Sequence, residues 1–490
     1  MRKNFFLLIS SLILACLIIW PIHSSGVWYP MHDSTSVARV FLMKNTLMNG
    51  QIPPIWAEGI NGGLGYPLFH FYAPLFHTIA TLLSFPLSPI TLALKLTLFL
   101  SAFTGIFGSM YFAKRWGRLA AIVAGVAFAL APYGAVNLYV RGAFAEYLSL
   151  ALLPWVFVLT EKITSIRKMI IAGVFLSLFV LSHNLIPLLA LPMILVWMLL
   201  QNKSNFKLVV GAIVISVALS AWFILPLMVE RGFTQADAVA RTTDYAQHFV
   251  EPWQLWNSTW GFGGSALGVE DGMSFKLGKA QIILGTIGVL LAFLHKRKSL
   301  IILSLFLLIS VFLTTSLSQF IWDHLGVLQI IQFPWRNLGI ITFFLSIFSG
   351  FAISRVPNKV FRLVGTCLII LMLFLTNYQY FAPQSTFPAT DNISDIASVV
   401  PEYLPVWLSR PNPPIEGSTI LPYAYYPTWE VKLDGETVNT YPSIEGKLAF
   451  DNPTHSSNFS FHQSHTNLEK IASIISLVAL VIMLKLYVKN

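Results

Sequence analysis

The sequence predicts an all-α polytopic membrane protein with about twelve transmembrane helices (11–13) and a small β-rich extracytoplasmic module near the C-terminus. Three observations predict it. Hydrophobic residues make up 56% of the 490 positions and charged residues 11%, against about 25% charged in a soluble domain. The apolar residues gather in runs approaching the ~20 that a helix needs to cross the hydrocarbon. The lysines and arginines lie in short clusters between those runs, so the net charge of +10 reports topology rather than nucleic acid. An ordinary cytosolic enzyme, a nucleic-acid-binding module and a disordered chain are excluded on the same grounds. Two cysteines exclude a disulfide scaffold and a Cys-based zinc site.

The first element, Met1 to Trp20, opens with Arg2-Lys3 and continues as an apolar run. Leu14-Ala15-Cys16 resembles the end of a lipobox. The run passes beyond Cys16 with no small-residue cleavage site, so it reads as a retained helix with its N-terminus inside. The other spans are expected near 89–112, 117–132, 145–160, 169–182, 185–200, 208–228, 279–294, 299–316, 336–354, 361–381 and 469–487. This threading places Lys114–Arg118, Arg167-Lys168, Lys203 with Lys207, Lys296-Arg297-Lys298, Arg355 with Lys359 and Arg362, and Lys489 on the cytoplasmic side. Residues 72–86 are apolar too, but a full crossing there would move Lys114–Arg118 outside. They read as an interfacial or re-entrant helix between Tyr72-Ala73-Pro74 and Phe85-Pro86.

Four long connections, 21–88, 229–278, 317–335 and 382–468, then share the outer face, while the inner loops are short. Irregular polar and aromatic sequence on one side marks the working side. The division is a transmembrane domain at 1–381 with its informative first outer loop at 21–88, an extracytoplasmic module at 382–468, and a final helix and cytoplasmic tail at 469–490. The module starts Pro-rich (Pro401, Pro405, Pro411, Pro413, Pro414) and then alternates. Trp429, Val431 and Leu433 interleave with Glu430, Lys432 and Asp434, and Asp434-Gly435 supplies a tight turn from which Thr437 to Asn439 pairs back.

Candidate chemistry sits near the outer helix ends. Asp33, in His32-Asp33-Ser34, lies shortly past the first helix. A carboxylate there can serve as general base toward a hydroxyl, or Asp33 or Ser34 can cap a helix running through Ala38 and Met43; local sequence alone favours the cap. Farther along the loop stand His70 and Tyr72. Arg141 and Glu146 lie near the membrane with few competing charges, either paired or with Arg141 on a phosphate. His183-Asn184 marks the outer turn of a helical hairpin, where a satisfied polar turn is favoured over a catalytic histidine. Trp335-Arg336 enters a later helix; Arg336 either snorkels to headgroups or holds a phosphate. The 229–278 loop combines Arg231, Arg241 and several acids with Trp253, Trp256 and Trp260, a set suited to sugars or to interface anchoring. There is no P-loop, GxGxxG after a strand, HExxH, CxxC or GxSxG, and no cluster with clear metal spacing. No cofactor is expected, nor a metal.

His-Asp-Ser followed by Ala-Arg, Gly-Gln-Ile-Pro-Pro…Trp, Gly-Tyr-Pro-Leu-Phe-His-Phe-Tyr-Ala-Pro-Leu, Arg-Gly-Ala-Phe-Ala-Glu, Leu-Ser-His-Asn and Gln-Phe-Pro-Trp-Arg together resemble a bacterial membrane family. It is catalogued as "6-pyruvoyl-tetrahydropterin synthase-related", and the resemblance covers most of residues 1–355. Nothing here resembles a soluble pterin synthase, and no zinc-binding histidine triad is visible. The segment Tyr426–Gly435 resembles the outer C-terminal part of YfhO-like membrane proteins. Both groups resemble the GT-C superfamily of polytopic glycosyltransferases. That resemblance implies an acidic base in the first outer loop, which only Asp33 matches, and a polyprenyl-phosphate-linked sugar donor. It makes Arg141 and Arg336 candidates for the donor phosphate, with His32, His70, Tyr72, Glu146, His183, Asn184 and Trp335 in support. The acceptor would be an envelope polymer, lipid or protein, with membrane lipids around the site and no nucleic acid. A paired Asp-Asp or Asp-Glu is frequent in GT-C enzymes; here His32 and Ser34 flank Asp33. The rival readings are a lipid-linked saccharide transporter or flippase, against which stand the lopsided loops and the lack of an intramembrane chain of acidic residues, and a non-catalytic envelope-assembly protein.

Overall fold

In a membrane, backbone polar groups find no water, so apolar runs satisfy them internally as helices. The computed structural model describes residues 2–240, 244–266, 270–389, 400–410 and 417–489 and shows this for every expected run. Helix α1 is Arg2–Ile19, α2 Ser36–Met48, α3 Leu68–Phe71, α4 Leu75–Ser84, α5 Ile90–Ala113 and α6 Arg118–Ala129. Then follow Phe144–Thr160, Ile166–Ser182, Ile186–Gln201, Phe206–Val229, Lys279–Leu294, Lys298–Thr314, Asn337–Ser354, Lys359–Asn377 and Asn467–Lys489. The expected twelve runs are thus helical, but length and apolarity support fewer full crossings. Six helices qualify outright among the described residues, or eight when two bent pairs each count as one span. The pairs are Arg118–Ala129 with Pro132–Arg141, bent by 43°, and Lys298–Thr314 with Ser316–His324, bent by 93°. Helices of 16 or 17 residues, such as Phe144–Thr160, reach about 25 Å, short of the ~30 Å hydrocarbon unless the bilayer thins around them. Helix α4 reaches only about 15 Å and does not cross, as its Pro-bounded ends suggest.

The 337–354 helix is the axis of the bundle, 94% buried along its apolar window. It packs on α6, on 279–294 and on 298–314. Glycines permit the approach: a Cβ on Gly350 would lie 2.5 Å from the Ala120 carbonyl, and one on Gly288 would collide with the Phe348 carbonyl. The final helix lies on the bundle's outside against 206–229 and is only 11% buried. Its Ser476 donates to the Ala218 carbonyl at 2.8 Å and accepts from the Trp222 N–H at 3.0 Å.

The four long connections meet at one end of the bundle. His32 Nε2 contacts the Phe262 carbonyl, Tyr245 donates to Asp323, and Gln235 N–H donates to the Leu404 carbonyl. At the opposite end Arg115 pairs with Glu161 at 2.7 Å, and Ser299 donates to Gln201 at 3.2 Å. Long loops and basic loops therefore occupy different ends.

The polar C-terminal segment forms strands. Val27–Trp28 (β1) pairs antiparallel with Phe387–Pro388 (β2), joining the first long loop to the last. Strands Ser418–Ala424 (β3), Trp429–Leu433 (β4), Glu436–Val438 (β5), Thr440–Pro442 (β6), Lys447–Asp451 (β7) and Phe459–Gln463 (β8) make two three-stranded sheets, β3-β7-β6 and β5-β4-β8. The predicted alternation places Trp429 and Val431 inward. Asp434 and Gly435, at φ +50° and +91°, make the two-residue turn that sets Lys432 opposite Thr437. The sheets rest on the first loop: Ala424 N–H donates to the Leu64 carbonyl at 2.8 Å, and Trp429 meets Trp56 edge-on at 5.3 Å. Pro411, Pro413, Pro414 and Arg241 lie outside the described residues.

Candidate active site

The first long loop is fixed before any functional side chain is placed. Lys95, buried in α5, donates to the Ser24 and Val27 carbonyls. The chain then runs beside the turn after α6: the N–H of His32 donates to the Val140 carbonyl and that of Asp33 to the Arg141 carbonyl at 2.9 Å. Residues Val136–Arg141 form a π-helical turn, a widened coil frequent at functional sites, which ends at Gly142 with φ +65°. A Cβ on Gly142 would lie 2.8 Å from the Asp33 carbonyl oxygen and strike the Met31 sulfur. Only glycine meets both demands, its left-handed backbone and the bare approach.

Asp33 is not the cap of α2. That helix starts at Ser36 after Thr35, and the Thr35 hydroxyl donates to Asp33 Oδ1. Arg39, one turn into α2, donates to Asp33 Oδ2 at 2.8 Å and to the Tyr72 hydroxyl at 3.0 Å, its guanidinium 4.2 Å from the Tyr72 ring centre. Arg39 is buried, at 5% side-chain exposure, while the Asp33 side chain is 32% exposed. Burial presses the Asp33 carboxyl pKa upward, but the Arg39 charge and the Thr35 hydroxyl outweigh it and hold the pKa below the ordinary value. Asp33 is a stable carboxylate that still meets solvent.

Behind it lies a second, closed group. Glu146, in the first turn of 144–160, is fully buried. Arg141 Nη1 stands 2.9 Å from Glu146 Oε1, Tyr133 donates to the same oxygen at 2.6 Å, and Arg336 Nε lies 3.8 Å from Oε2. Arg141 also donates to Asn137 and rests over Trp335, 4.5 Å from its ring centre. Two guanidinium groups face one carboxylate, leaving a surplus positive charge. Arg336 Nε and Glu146 Oε2 have no hydrogen-bond partner among the described residues.

The structure therefore brings Arg141, Glu146, Arg336 and Trp335 together and ties Asp33 to them through the backbone, with Tyr72 reached through Arg39. His183 is turned to its own turn: its Nδ1 accepts from the N–H groups of Leu185 and Ile186, opening the 186–201 helix. Asn184 donates to the Phe71 carbonyl at 2.8 Å and to the Tyr403 hydroxyl at 3.2 Å. His32 and His70 stand apart, His32 on the Phe262 carbonyl and His70 on Glu230 and Glu469. Sequence reasoning missed Arg39, Lys95, Tyr133 and Asn137. Arg39 lay inside the quoted motif, and Lys95 was a lone charge in an apolar run, a signal in itself. It also missed His77, buried on α4 beside Tyr72, with neither ring nitrogen hydrogen-bonded among the described residues.

A bundle of apolar helices carrying a charged site at its long-loop end defines an integral membrane protein. Residues 69–382 match the family model described as "6-pyruvoyl-tetrahydropterin synthase related domain; membrane protein", and the chain belongs to that family. No curated protein matches it. Among solved structures, the apo form of the Archaeoglobus fulgidus oligosaccharyltransferase is similar at TM-score 0.42 and 14% identity, over 77% of this chain and 55% of that one. The chain thus spans about half the length of that protein.

Proposed function

We propose that the protein is an integral-membrane, GT-C-type glycosyltransferase. It moves a sugar from a polyprenyl-phosphate-linked donor to a cell-envelope acceptor on the extracytoplasmic face of the membrane. The observation that carries this reading is the junction of a partly exposed carboxylate, Asp33, with the residue bearing the Arg141 guanidinium. A reacting hydroxyl and a leaving phosphate need a carboxylate and a guanidinium in one site, and the backbone bond from Asp33 N–H to the Arg141 carbonyl joins the residues that carry them. The basic loops at the far end support a cytoplasmic placement for that end and for both termini, with the long loops outside.

The acceptor oxygen attacks the anomeric carbon as the bond from that carbon to the phosphate oxygen breaks, and the bonding pair leaves on the phosphate. Asp33 takes the hydroxyl proton. Its low pKa makes it a weak base, so the proton moves late, once bond formation has made the hydroxyl acidic. Direct displacement inverts the anomeric centre. Arg141 and Arg336 stabilise the charge that develops on the leaving phosphate, using the positive charge that Glu146 leaves uncompensated. Arg39 and Tyr72 hold the Asp33 carboxylate in position.

The test is transfer of radiolabelled sugar from polyprenyl-phosphate donors to envelope acceptors by the purified full chain, wild type beside Asp33→Asn. We expect turnover to fall by about 10²–10⁴-fold while the protein still unfolds cooperatively, with at most a modest drop in melting temperature from the lost pair with Arg39. Equal turnover in both would remove Asp33 from the mechanism. Absence of transfer by the wild type over a broad donor and acceptor panel would point to a transport or assembly role instead.

A further inference from the structure

His70, Glu230 and Glu469 come from the first long loop, the end of the 206–229 helix and the start of the final helix, and all three are buried. No spacing in the sequence could join them, since they stand 160 or more residues apart in chain order. One imidazole faces two carboxylates: His70 Nε2 lies 2.7 Å from Glu230 Oε2, and Nδ1 lies 3.4 Å from Glu469 Oε1. A neutral imidazole carries one N–H, so it can donate to only one of them. The donor atoms of the three residues lie within 4.8 Å of one another.

The carboxylates are oriented from behind. Thr466 donates its hydroxyl to Glu230 Oε1 at 2.6 Å and its N–H to Glu469 Oε2 at 3.0 Å, while His465 Nδ1 contacts the same Oε2 at 3.0 Å. Each glutamate thus has one oxygen held by residues 465–466 and the other turned toward His70. Glu469 is only 3% exposed, and its inward Oε1 makes no hydrogen bond among the described residues. Two buried carboxylates around one imidazole carry an excess of negative charge that burial makes costly. A cation removes that cost.

The geometry points to a divalent transition-metal site of the Zn²⁺ or Mn²⁺ class at His70, Glu230 and Glu469. Mixed imidazole and carboxylate donors select these ions over Ca²⁺ or Mg²⁺. The outer hydrogen bonds from Thr466 and His465 are of the kind that orient metal ligands. A small cleft lined by Pro53, Pro54, His465 and Glu469, with His70 among its walls, adjoins the site and offers room for a single water as a further ligand. The ion would clamp the final helix and the 206–229 helix to the first long loop. It lies apart from Asp33 and the arginines, so it stands or falls independently of the transferase reading.

The test uses the full chain in detergent, stripped with a chelator and reloaded with Zn²⁺ or Mn²⁺. Bound metal is counted by plasma mass spectrometry, and thermal unfolding is followed in parallel. We expect about one ion per chain, a melting temperature that falls on stripping and recovers on reloading, and at least about 100-fold weaker binding in His70→Ala and Glu469→Gln. His324→Asn, at an exposed position of the same end, should leave binding unchanged. The wild-type measurement stands even where a variant fails to fold. Sub-stoichiometric metal with a chelator-insensitive melt would overturn the site. Undiminished metal in His70→Ala would equally overturn it by placing the ion elsewhere.

Discussion

Asp33 and Glu146 are two carboxylates at the same end of the bundle, each paired with arginine, and they differ in what else can reach them. Asp33 sits on a loop, a third exposed, with Arg39 and Thr35 on one side and solvent on the other. Glu146 sits inside a helix, fully buried, with Tyr133, Asn137 and two arginines around it. A charge with an open side can serve a substrate. A closed charge serves its neighbours: it fixes Arg141 and Arg336 close together, where alone they would repel. Under the proposed function the two carboxylates divide the labour between chemistry and alignment.

The sharpest way to break this comparison is Glu146→Gln. Removing one partner of a buried ion pair leaves the others uncompensated, at about 3–5 kcal/mol. We expect a large fall in thermal stability in detergent, with transfer lost as a consequence. Asp33→Asn should weight the two effects the other way, removing turnover at a smaller cost in stability, because its pair with Arg39 is partly open to solvent. Equal melting curves for Glu146→Gln and wild type would mean that Glu146 is not the keystone of the arginine pair.

This division was only partly legible in the sequence. The helices were, because a run of apolar residues has one way to satisfy its backbone in lipid, and the 429–438 hairpin was, because alternation and Asp434-Gly435 specify it locally. Arg141, Glu146 and Arg336 stood out as charges beside apolar runs. Their convergence on one point did not, because it depends on the π-helical turn at 136–141 and on the 337–354 helix packing beside it. Partners far along the chain were hidden as well. Val27 pairs with Pro388, and Glu230 meets Thr466, contacts set by topology rather than by local pattern. The capping box of Thr466 with Glu469 is local, yet it gave no hint that Glu469 also faces His70.

Gly142→Ala comes next in size. The substitution forces a side chain into the left-handed region and toward the Asp33 carbonyl, at a cost of about 1–3 kcal/mol. The expected signature is a kcat loss larger than the stability loss explains, because the junction of Asp33 with Arg141 is what shifts. A purely proportional loss would mean that the junction has no part in alignment.

The smallest effect, and the most specific, concerns Arg39. Its charge lowers the Asp33 pKa, so Asp33 remains ionised below the pH where an ordinary aspartate protonates. The stability contributed by this pair is present above the ordinary aspartate pKa near 3.8 and is lost only as pH falls through the lower native value. Turnover should therefore be flat from neutrality down to that region. In Arg39→Gln, burial acts on Asp33 without its counter-charge, and the acid limb of kcat should move upward by about one pH unit or more. A shift of that sign, with Tyr72→Phe leaving the limb in place, would identify Asp33 as the titrating group through the charge that faces it. An acid limb that stays put would mean that the proton limiting turnover resides on a different residue, and that the open carboxylate has an electrostatic role alone.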